Sequence, residues 1–334
     1  LKKFSIYNLK DFGYIFFNIL NFIFSNYLIN ISKKNKIQKL LLCSREGYFF
    51  NQTLNFLKKK NVNIPNYSYF ITSRKLSTIS AIYNENDIID SFKKHRFLGL
   101  FKDLTQERFN ITLSKENIKN SNYLIDTRRD TLKLKMLLKI ENDKIINKSL
   151  QIRNEYKKYI LKQFSNYRIA FVDQGFYGTS QKSIEKIFNR KFFGIYVCLK
   201  DKDYYKKCLF DFKNSYFYNH QIFFESLFTG PKGSVININR KGNFIFQKKF
   251  KNQKKFDDKR VIFSGMLDFI KDLNKIVNIN YHTDNIFLEN DCKEIADCLF
   301  GLMKKNKKNL SNKILNTFYH DNQFVKKKTY KLNL

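Results

Sequence analysis

The residues best placed to do chemistry follow an apolar run at positions 168–172. Asp173 comes directly after this run, and amide, glycine and hydroxyl residues follow it: Gln174, Gly175, Gly178, Thr179 and Gln181. A carboxylate at a strand end can hold a metal ion, bind a sugar hydroxyl or act as a base, so Asp173 is a candidate catalytic residue and metal ligand. Glycines and a helix N-terminus can cradle phosphate. The spacing matches neither a dinucleotide-binding loop nor a P-loop, so it predicts a site and leaves its ligand open.

A second polar loop follows the apolar run at 39–43 and consists of Ser44, Arg45, Glu46 and Gly47. Arg45 offers an anion clamp and Glu46 an acid or base, and both are candidate catalytic residues. Gly47 allows a tight turn into a helix whose first N–H groups favour an anion, which makes Ser44 and Gly47 candidate phosphate ligands. In a structural alternative, Ser44 caps this helix and Glu46 interacts with its dipole. The sequence leaves both open.

Three further positions add weaker candidates for the same site. Ser73 and Arg74 follow the apolar run at 67–72 and would supply a hydroxyl and a cation, although a basic surface turn has the same pattern. Glu225 lies on an apolar helical face, where an acid is costly unless it is paired. Lys232, within Gly-Pro-Lys-Gly, would either reach a phosphate or face solvent.

The sequence lacks the residue patterns of several other kinds of site. The four histidines and five cysteines show no metal-ligand spacing. No Gly-x-Ser-x-Gly elbow marks a serine nucleophile. The cysteines form no CxxC pair, and their odd number excludes a complete internal disulfide framework. We therefore expect a reducing, cytoplasmic compartment.

Four apolar runs would position the polar loops, at residues 39–43, 67–72, 168–172 and 192–199. The runs are continuous rather than alternating, which is typical of parallel strands that helices cover on both faces. We therefore predict an α/β fold with a Rossmann-like three-layer parallel sheet core. Ligands of such sheets bind beyond the carboxyl ends of the strands, so the three loops are expected to share one site.

The rest of the chain is mainly helical. Helical periodicity predicts helices at residues 11–31, 144–164, 220–228, 261–273, 292–303 and 314–318. Short helices and loops at 84–125 would form an inserted cap, and a hairpin is expected at 235–246. The uncharged stretch 12–31 carries polar residues on one side, so we expect a buried amphipathic helix rather than a membrane span. We divide the chain into a Rossmann-like core with a helical insertion, residues 1–200, and a mainly helical subdomain with the hairpin, residues 201–334.

The chain is strongly basic, with 63 Lys and Arg against 29 Asp and Glu and a net charge of +34. Such a surface attracts phosphate-rich partners, including nucleotides, anionic membranes and nucleic acid. We attribute most of the excess to AT-rich codons, because Lys, Asn, Ile, Phe and Tyr are all abundant and the lysines are spread along the chain. The sequence contains no nucleic-acid-binding motif, so we rank that partner last. Because it begins at Leu1 rather than Met, we expect a piece of a longer protein.

Four short motifs occur in order: Asp-Phe-Gly-Tyr at 11–14, Ser-Arg-Glu-Gly-Tyr at 44–48, Ser-Arg at 73–74 and Asp-Gln-Gly-Phe-Tyr-Gly-Thr-Ser-Gln at 173–181. Together they resemble a bacterial α/β domain found beside haloacid-dehalogenase-like hydrolase and glycosyltransferase modules in capsule and lipopolysaccharide biosynthesis proteins. The Asp-x-Asp-x-Thr motif of the hydrolase is absent, so that hydrolase activity is not expected. A remoter similarity is to phosphoribosyltransferases, although only Asp173 matches their acidic pair.

This resemblance implies a domain of a multidomain surface-polysaccharide biosynthesis protein. It would bind a nucleotide, nucleotide sugar or phosphorylated sugar and catalyse a transferase or ATP-dependent ligase step. Its other partners would be further modules of the same polypeptide, including a glycosyltransferase. Mg²⁺ is a candidate cofactor, ATP or a nucleotide sugar is a candidate substrate, and the place of action would be the cytoplasm, including the inner membrane surface. The alternatives are a non-catalytic module that docks a glycosyltransferase or that membrane, and a nucleic-acid-binding protein.

Overall fold

A five-stranded parallel sheet forms the centre of the computed structural model, which describes residues 6–93, 97–164, 167–200, 203–211, 221–249, 251–277, 289–305, 307–322 and 328–331. Within these ranges the strands are β1 (Lys39–Cys43), β2 (Asn66–Phe70), β3 (Leu98–Leu100), β4 (Leu124–Asp126), β5 (Ile169–Phe176), β6 (Phe193–Leu199), β7 (Lys206–Asp211), β8 (Val235–Ile238), β9 (Phe244–Phe246), β10 (Tyr319–Asn322) and β11 (Lys328–Lys331). The sheet has the order β2-β1-β5-β6-β7, and all neighbours are parallel. The predicted α/β class with a parallel sheet core is confirmed.

Helices cover both faces of this sheet. In the described ranges they are α1 (Leu9–Phe12), α2 (Asn18–Lys34), α3 (Gly47–Lys59), α4 (Arg74–Ser80), α5 (Glu85–Lys93), α6 (Phe101–Phe109), α7 (Thr131–Phe164), α8 (Thr179–Phe188), α9 (Gln221–Leu227), α10 (Lys251–Lys254), α11 (Phe256–Val277), α12 (Glu289–Lys305) and α13 (Asn312–Leu315). One face packs against α1, α2, α3, α9 and α11, and the other packs against α4, α7 and α8. The core is therefore a Rossmann-like three-layer arrangement.

Strand β1 shows why the apolar runs form this sheet. Leu40 and Leu42 are fully buried in the core on the α3 and α11 face. Leu41 and Cys43 are buried in the core on the α4, α7 and α8 face. Successive strand residues point to opposite faces, so a strand buried on both sides must be apolar at every position. Each fully buried leucine stabilises the sheet by roughly 1.5–3 kcal/mol.

The predicted single helix at 11–31 is wrong in detail, because it is interrupted. A π-helical turn at Gly13–Phe17 separates α1 from α2. Close packing on α11 accompanies the break: a Cβ atom at Gly13 would lie 1.8 Å from the carbonyl oxygen of Ile262, and one at Gly265 would lie 2.0 Å from that of Lys10. Among the described residues, no single helix has the length and apolarity to span a membrane, whereas one bent pair, Leu9–Phe17 with Leu20–Lys34, meets both criteria.

Two smaller elements lie beside the carboxyl edge of the sheet. The segment from α5 to β4, predicted as helices and loops, also contains the antiparallel pair β3–β4 around α6. We call residues 85–126 the cap segment. The hairpin expected at 235–246 is present as the antiparallel pair β8–β9. Ser73 fastens the hairpin to the core, because its hydroxyl donates to the carbonyl oxygen of Val235 at 2.6 Å.

Among the differences from the predicted elements, two extended boundaries and one unpredicted strand matter most for the sheet and the site. Helix α7 starts at Thr131 rather than at 144, because Leu134, Leu137, Leu138 and Glu141 continue its buried face. Strand β5 runs on to Phe176, so Asp173 lies within the strand rather than after it. Strand β7 was not predicted, and it follows β6 after residues 200–205 only. The division of the chain at residue 200 stays a prediction; β7 lies beyond it in the same sheet as β6.

Candidate functional site

A cavity of about 360 Å³ lies at the carboxyl ends of β1, β2 and β5. The sheet runs from β1 outward to β2 on one side and from β5 outward to β6 and β7 on the other. The chain therefore changes direction across the sheet between β1 and β5, and open α/β sheets bind ligands in the crevice at such a switch point. The loops after these three strands all line the cavity, as the sequence predicted.

Arg45 and Glu46 form an ion pair at the end of β1. The Nη2 atom of Arg45 lies 2.9 Å from Oε1 of Glu46, and its Nη1 donates to the Ser234 hydroxyl at 3.4 Å. The Glu46 carboxylate raises the pKa of the Arg45 guanidinium, which therefore stays charged. Burial raises the pKa of Glu46, while Arg45 opposes that increase. The backbone of Arg45 has a φ of +72°, a left-handed conformation that is strained for a side chain of this size.

Ser44 and Gly47 have structural roles in the same loop. The Ser44 N–H donates to the carbonyl oxygen of Phe70 at 2.8 Å, and its hydroxyl accepts from the Thr72 N–H at 3.1 Å. These bonds tie the end of β1 to the end of β2, and α3 begins without a side-chain cap, so the capping role considered for Ser44 is wrong. Ser44 lines the cavity, whereas Gly47 lies outside its lining. A Cβ atom at Gly47 would lie 2.6 Å from the Leu42 carbonyl group, so this glycine permits close packing of α3 on β1.

Asp173 faces the cavity from β5. It is half-buried, and its Oδ1 accepts the Gln174 N–H at 2.8 Å. Burial and the neighbouring Glu46 carboxylate raise the pKa of Asp173 to about 7. Two like charges in a poorly hydrated site resist simultaneous ionisation, so Asp173 exchanges a proton near neutral pH. A carboxyl group with this behaviour can act as a general acid or base.

The backbone after Asp173 turns sharply into α8. Gly175 has a φ of +113°, Phe176 of +85° and Gly178 of +58°. A Cβ atom at Gly175 would lie 1.9 Å from the carbonyl oxygen of Cys198, so only glycine fits there. Gly178 precedes the first helical residue, Thr179, which lines the cavity. The first N–H groups of α8, which no helical carbonyl accepts, therefore start at the cavity wall.

Two arginines lie near each other at the cavity, one from the core and one from the cap segment. Arg74 begins α4, whose N-cap is Ser73; the Ser73 hydroxyl accepts the Leu76 N–H at 3.0 Å. In the described parts of the chain the exposed Arg74 guanidinium makes no ion pair. Arg108 comes from α6, and burial together with the positive charge of Arg74 lowers its pKa to about 10. Two cations held close together attract an anion.

Gln174 has the most unusual surroundings in the site. Its side chain is 2% exposed and it lines the cavity. Neither its Oε1 nor its Nε2 has a hydrogen-bond partner among the described residues. Gln181 is equally buried, at 2%, but its amide bonds the Tyr196 hydroxyl at 2.5 Å and the carbonyl oxygen of Phe192 at 2.8 Å. Buried amides are normally paired, so Gln174 is an exception that requires a physical reason.

Glu225 reaches the cavity from α9 and is half-buried. Its charge raises the pKa of both Arg45 and Glu46, which places it beside that ion pair. The neighbouring Ser226 hydroxyl bonds Oδ1 of Asn252 at 2.8 Å and thereby fixes α9 against α10. The apolar helical face predicted for this region therefore carries an acid that points to the site.

The structure does not bring every predicted residue to the cavity. Gln181 packs α8 against β6 and lies outside the lining. Lys232 also lies outside it, with its Nζ 4.8 Å from the ring centroid of Phe246. Conversely, Arg108 and Tyr69 were not singled out from the sequence. The Tyr69 hydroxyl accepts the Arg45 N–H at 3.1 Å, and no local motif marked either residue.

The cavity is electrostatically balanced although the chain has a net charge of +34. Its lining contains six basic residues (Arg45, Arg74, Lys75, Arg108, Lys182 and Lys186) and six acidic ones (Glu46, Asp87, Asp90, Glu107, Asp173 and Glu225). The excess positive charge of the chain therefore lies outside the cavity. The positions of individual basic side chains in the lining, rather than the net charge, must decide which ligand binds there. Across the described ranges, no group of three or more His, Cys, Asp or Glu side chains is arranged to hold a metal ion. The metal role of Asp173 stays a prediction.

Comparison with known proteins gives no independent assignment: no protein-family model matches the sequence, and no curated protein matches it either. The fold and the geometry of the cavity are therefore the basis for assigning a function.

Proposed function

We propose that this chain is an enzyme domain that binds a phosphorylated sugar, a nucleotide or a nucleotide sugar and catalyses a group transfer on it. One observation carries the proposal: the loops bearing Arg45, Arg74 and Asp173 line a single cavity at the switch point of the sheet. Cations that can bind a phosphate and an acid that can transfer a proton thus line the same cavity.

The phosphate end of the ligand would lie between Arg74, Arg108 and the start of α8. The repulsion between the two guanidinium groups is relieved when an anion binds, because each cation then faces a negative charge. The ten-residue helix α8 adds its unpaired N–H groups and its dipole. Thr179, predicted as a phosphate ligand, is the first residue of this helix.

The reacting end of the ligand would lie against Asp173 and Glu46. Asp173, with its pKa near neutrality, would take the proton of an acceptor hydroxyl as the oxygen of that hydroxyl bonds to the transferred group. The bond between the transferred group and its phosphate leaving group breaks in the same step, and the leaving group departs with the bonding electron pair. Arg45 remains charged and stabilises negative charge that develops there. If Mg²⁺ takes part, the carboxylates of Asp173 and Glu46 would hold it, since Mg²⁺ prefers carboxylate and phosphate oxygens and would stabilise charge on the transferred group. A transferase and an ATP-dependent ligase both fit this arrangement.

The biological setting that we propose is bacterial surface-polysaccharide assembly, in the cytoplasm or at the inner membrane surface. It rests on the resemblance of the motifs at 44–48 and 173–181, of which residues 44–46 and 173–180 line the cavity. Other modules of the same polypeptide, including a glycosyltransferase, would supply or consume the product.

A ligand screen tests the proposal. Thermal unfolding would be followed with ATP, UDP-sugars, phosphoribosyl pyrophosphate, sugar phosphates and short nucleic acids, each with and without Mg²⁺. A ligand present at about 100 times its dissociation constant stabilises a protein by roughly 2.7 kcal/mol. Arg74→Ala and Asp173→Asn serve as site variants, and Arg260→Ala, an exposed arginine of α11, is the matched control.

We expect a phosphate-bearing ligand to stabilise the parent and Arg260→Ala equally and the Arg74→Ala protein less. The Asp173→Asn protein should bind that ligand but lose turnover. If only nucleic acids stabilise the protein, and every variant responds as the parent does, the enzyme proposal is wrong and a nucleic-acid-binding function replaces it. A response to no ligand at all would favour the docking module.

A further inference from the structure

Two polar side chains at the cavity make no side-chain hydrogen bond to the described residues, and both lie on the same side of the sheet. Val172 and Phe176 of β5 belong to the core that contains Phe224 of α9. Gln174 is two residues from Val172, so its side chain points to that same face, while Asp173 points to the other. Glu225 lines the cavity from α9. Among the described residues, its carboxylate makes no ion pair and no side-chain hydrogen bond.

The surrounding polar atoms are paired, which sets these two apart. Asn252 accepts the Ser226 hydroxyl at 2.8 Å, and its Nδ2 donates to the Thr229 hydroxyl at 2.9 Å. The Nζ of Lys259 donates to the Asn252 carbonyl oxygen at 3.0 Å. This network anchors α9 next to the cavity, and neither the Gln174 amide nor the Glu225 carboxylate takes part in it. Ser226 and Asn252 line the cavity as Gln174 and Glu225 do, but their side chains are hydrogen-bonded.

The chemistry of the two groups defines the ligand that would pair them. An amide presents one acceptor oxygen and two donor hydrogens, and a carboxylate accepts only. An anion would be repelled by Glu225, and an apolar group would leave the buried amide unpaired. A second cation is disfavoured by the adjacent Arg45, whose charge already faces Glu225. Neighbouring hydroxyl groups, which donate and accept at once, satisfy both side chains.

We propose that Gln174 and Glu225 form a subsite for the hydroxyl groups of a sugar ring, on the α9 side of the sheet. The inference deepens the proposed function and rests on it for the phosphate: the cavity would hold the phosphate between Arg74 and Arg108 and the sugar ring between Gln174 and Glu225. The class of substrate is then a sugar phosphate or nucleotide sugar with a free diol, rather than a nucleotide bound through its base alone.

Isothermal titration would test the subsite with three classes of probe. Inorganic phosphate reports on the anion end alone. Glucose, galactose, mannose and N-acetylglucosamine 1-phosphates report on both ends, and the matching methyl glycosides report on the ring alone. The proteins are the parent, Gln174→Met, Glu225→Gln and Arg74→Ala. Methionine has nearly the volume of glutamine without its hydrogen bonds, and glutamine keeps the shape of Glu225 without its charge.

We expect at least one sugar phosphate to bind the parent about tenfold or more tightly than inorganic phosphate, which corresponds to about 1.4 kcal/mol. Gln174→Met and Glu225→Gln should abolish that advantage and keep the affinity for inorganic phosphate within about twofold, whereas Arg74→Ala should weaken both probes. Circular dichroism and thermal unfolding of each variant exclude misfolding.

The remaining outcomes separate the two proposals. If the variants weaken inorganic phosphate and sugar phosphates equally, or weaken neither, the subsite is wrong and the phosphate site stands. If no sugar phosphate binds the parent more tightly than inorganic phosphate does, the subsite is likewise wrong. If the parent binds no phosphate compound but binds a methyl glycoside that Gln174→Met rejects, the proposed function is wrong and the sugar subsite stands. Binding of no probe overturns the subsite, and if the nucleotides and UDP-sugars of the thermal screen also fail to stabilise the parent, the proposed function is wrong as well.

Discussion

Replacing Gln174 by methionine should stabilise the free protein, although the same change at Gln181 should destabilise it. The two glutamines are an internal pair, because each side chain is 2% exposed. The Gln174 amide has no hydrogen-bond partner among the described residues, whereas the Gln181 amide bonds Tyr196, Glu185 and Phe192. An apolar side chain of similar volume removes an unsatisfied group in the first case and three hydrogen bonds in the second.

The expected magnitudes follow from the energy of buried polar groups. A buried amide without partners costs about 1–3 kcal/mol, so Gln174→Met should raise the free energy of unfolding by roughly 1–2 kcal/mol once imperfect packing is allowed for. Gln181→Met loses its bonds and leaves the buried Tyr196 hydroxyl unpaired, so it should lower that free energy by roughly 2–4 kcal/mol. Urea unfolding in ligand-free buffer, followed by circular dichroism, measures both.

Whether Gln174→Met raises or lowers the free energy of unfolding shows whether the Gln174 amide is paired in the free protein. If Gln174→Met lowers the free energy of unfolding as much as Gln181→Met does, the Gln174 amide is paired in the free protein and the reasoning about an unmatched group is refuted. If stability rises and ligand affinity falls, the amide is retained for binding at the expense of the fold, as many functional sites are. Equal denaturant slopes for the parent and both variants would show that the comparison concerns the folded state.

Three further outcomes follow from the same site. With its pKa raised to about 7, Asp173 holds its proton more tightly in the folded state than in the unfolded state. The parent should therefore lose roughly 2–4 kcal/mol of stability as the pH rises from about 4 to about 7. Asp173→Asn should reduce that loss when urea unfolding is compared at about pH 5 and pH 8. Gly175→Ala should lower the free energy of unfolding by about 3 kcal/mol or more, since its Cβ would lie 1.9 Å from a backbone oxygen. Gly242→Ala, with a φ of +79° and no atom within 4 Å of its Cβ, should lower the free energy of unfolding by only about 1–2 kcal/mol. Similar thermal shifts for the two variants would contradict the clash at Gly175. Arg45→Met should lower the free energy of unfolding by roughly 3–5 kcal/mol, because Glu46 is left buried and unpaired. A double variant that also carries Glu46→Gln should recover most of that loss. If stability does not recover, Arg45 and Glu46 are not energetically coupled.

The sheet was predictable because burial on both faces demands continuous apolar runs. Strand β1 has the predicted bounds, and β6 begins one residue later than expected. Strand β7 escaped prediction because it opens with Lys206 and Lys207, which do not read as a buried strand. Lys206 is nevertheless 5% exposed, since its ammonium group pairs with Asp203. Its connection to β6, residues 200–205, is also shorter than the crossover that parallel strands usually require.

The convergence of the site loops was predictable from sheet topology, and the detailed roles within them were not. Strand order brings the residues after β1, β2 and β5 to one edge whatever their side chains are. Whether Gln174 or Gln181 is the paired amide depends on which partners α8 and β6 present, and these are tertiary contacts. Arg108 joins the site from the cap segment, where no local pattern distinguishes it from the other basic residues of the chain.

Several unfavourable features of this fold lie at the cavity. Arg45 and Phe176 have left-handed backbone conformations, and the Gln174 amide has no hydrogen-bond partner among the described residues. Burial raises the pKa of both Glu46 and Asp173, and the Glu46 carboxylate raises the pKa of Asp173 further. Each could be relieved by one substitution: glycine at the two strained positions, methionine at 174 or an amide at either acid. Features of this kind cluster at functional sites, where the rest of the fold holds them in place at a cost in stability, and here they meet at the switch point of the sheet.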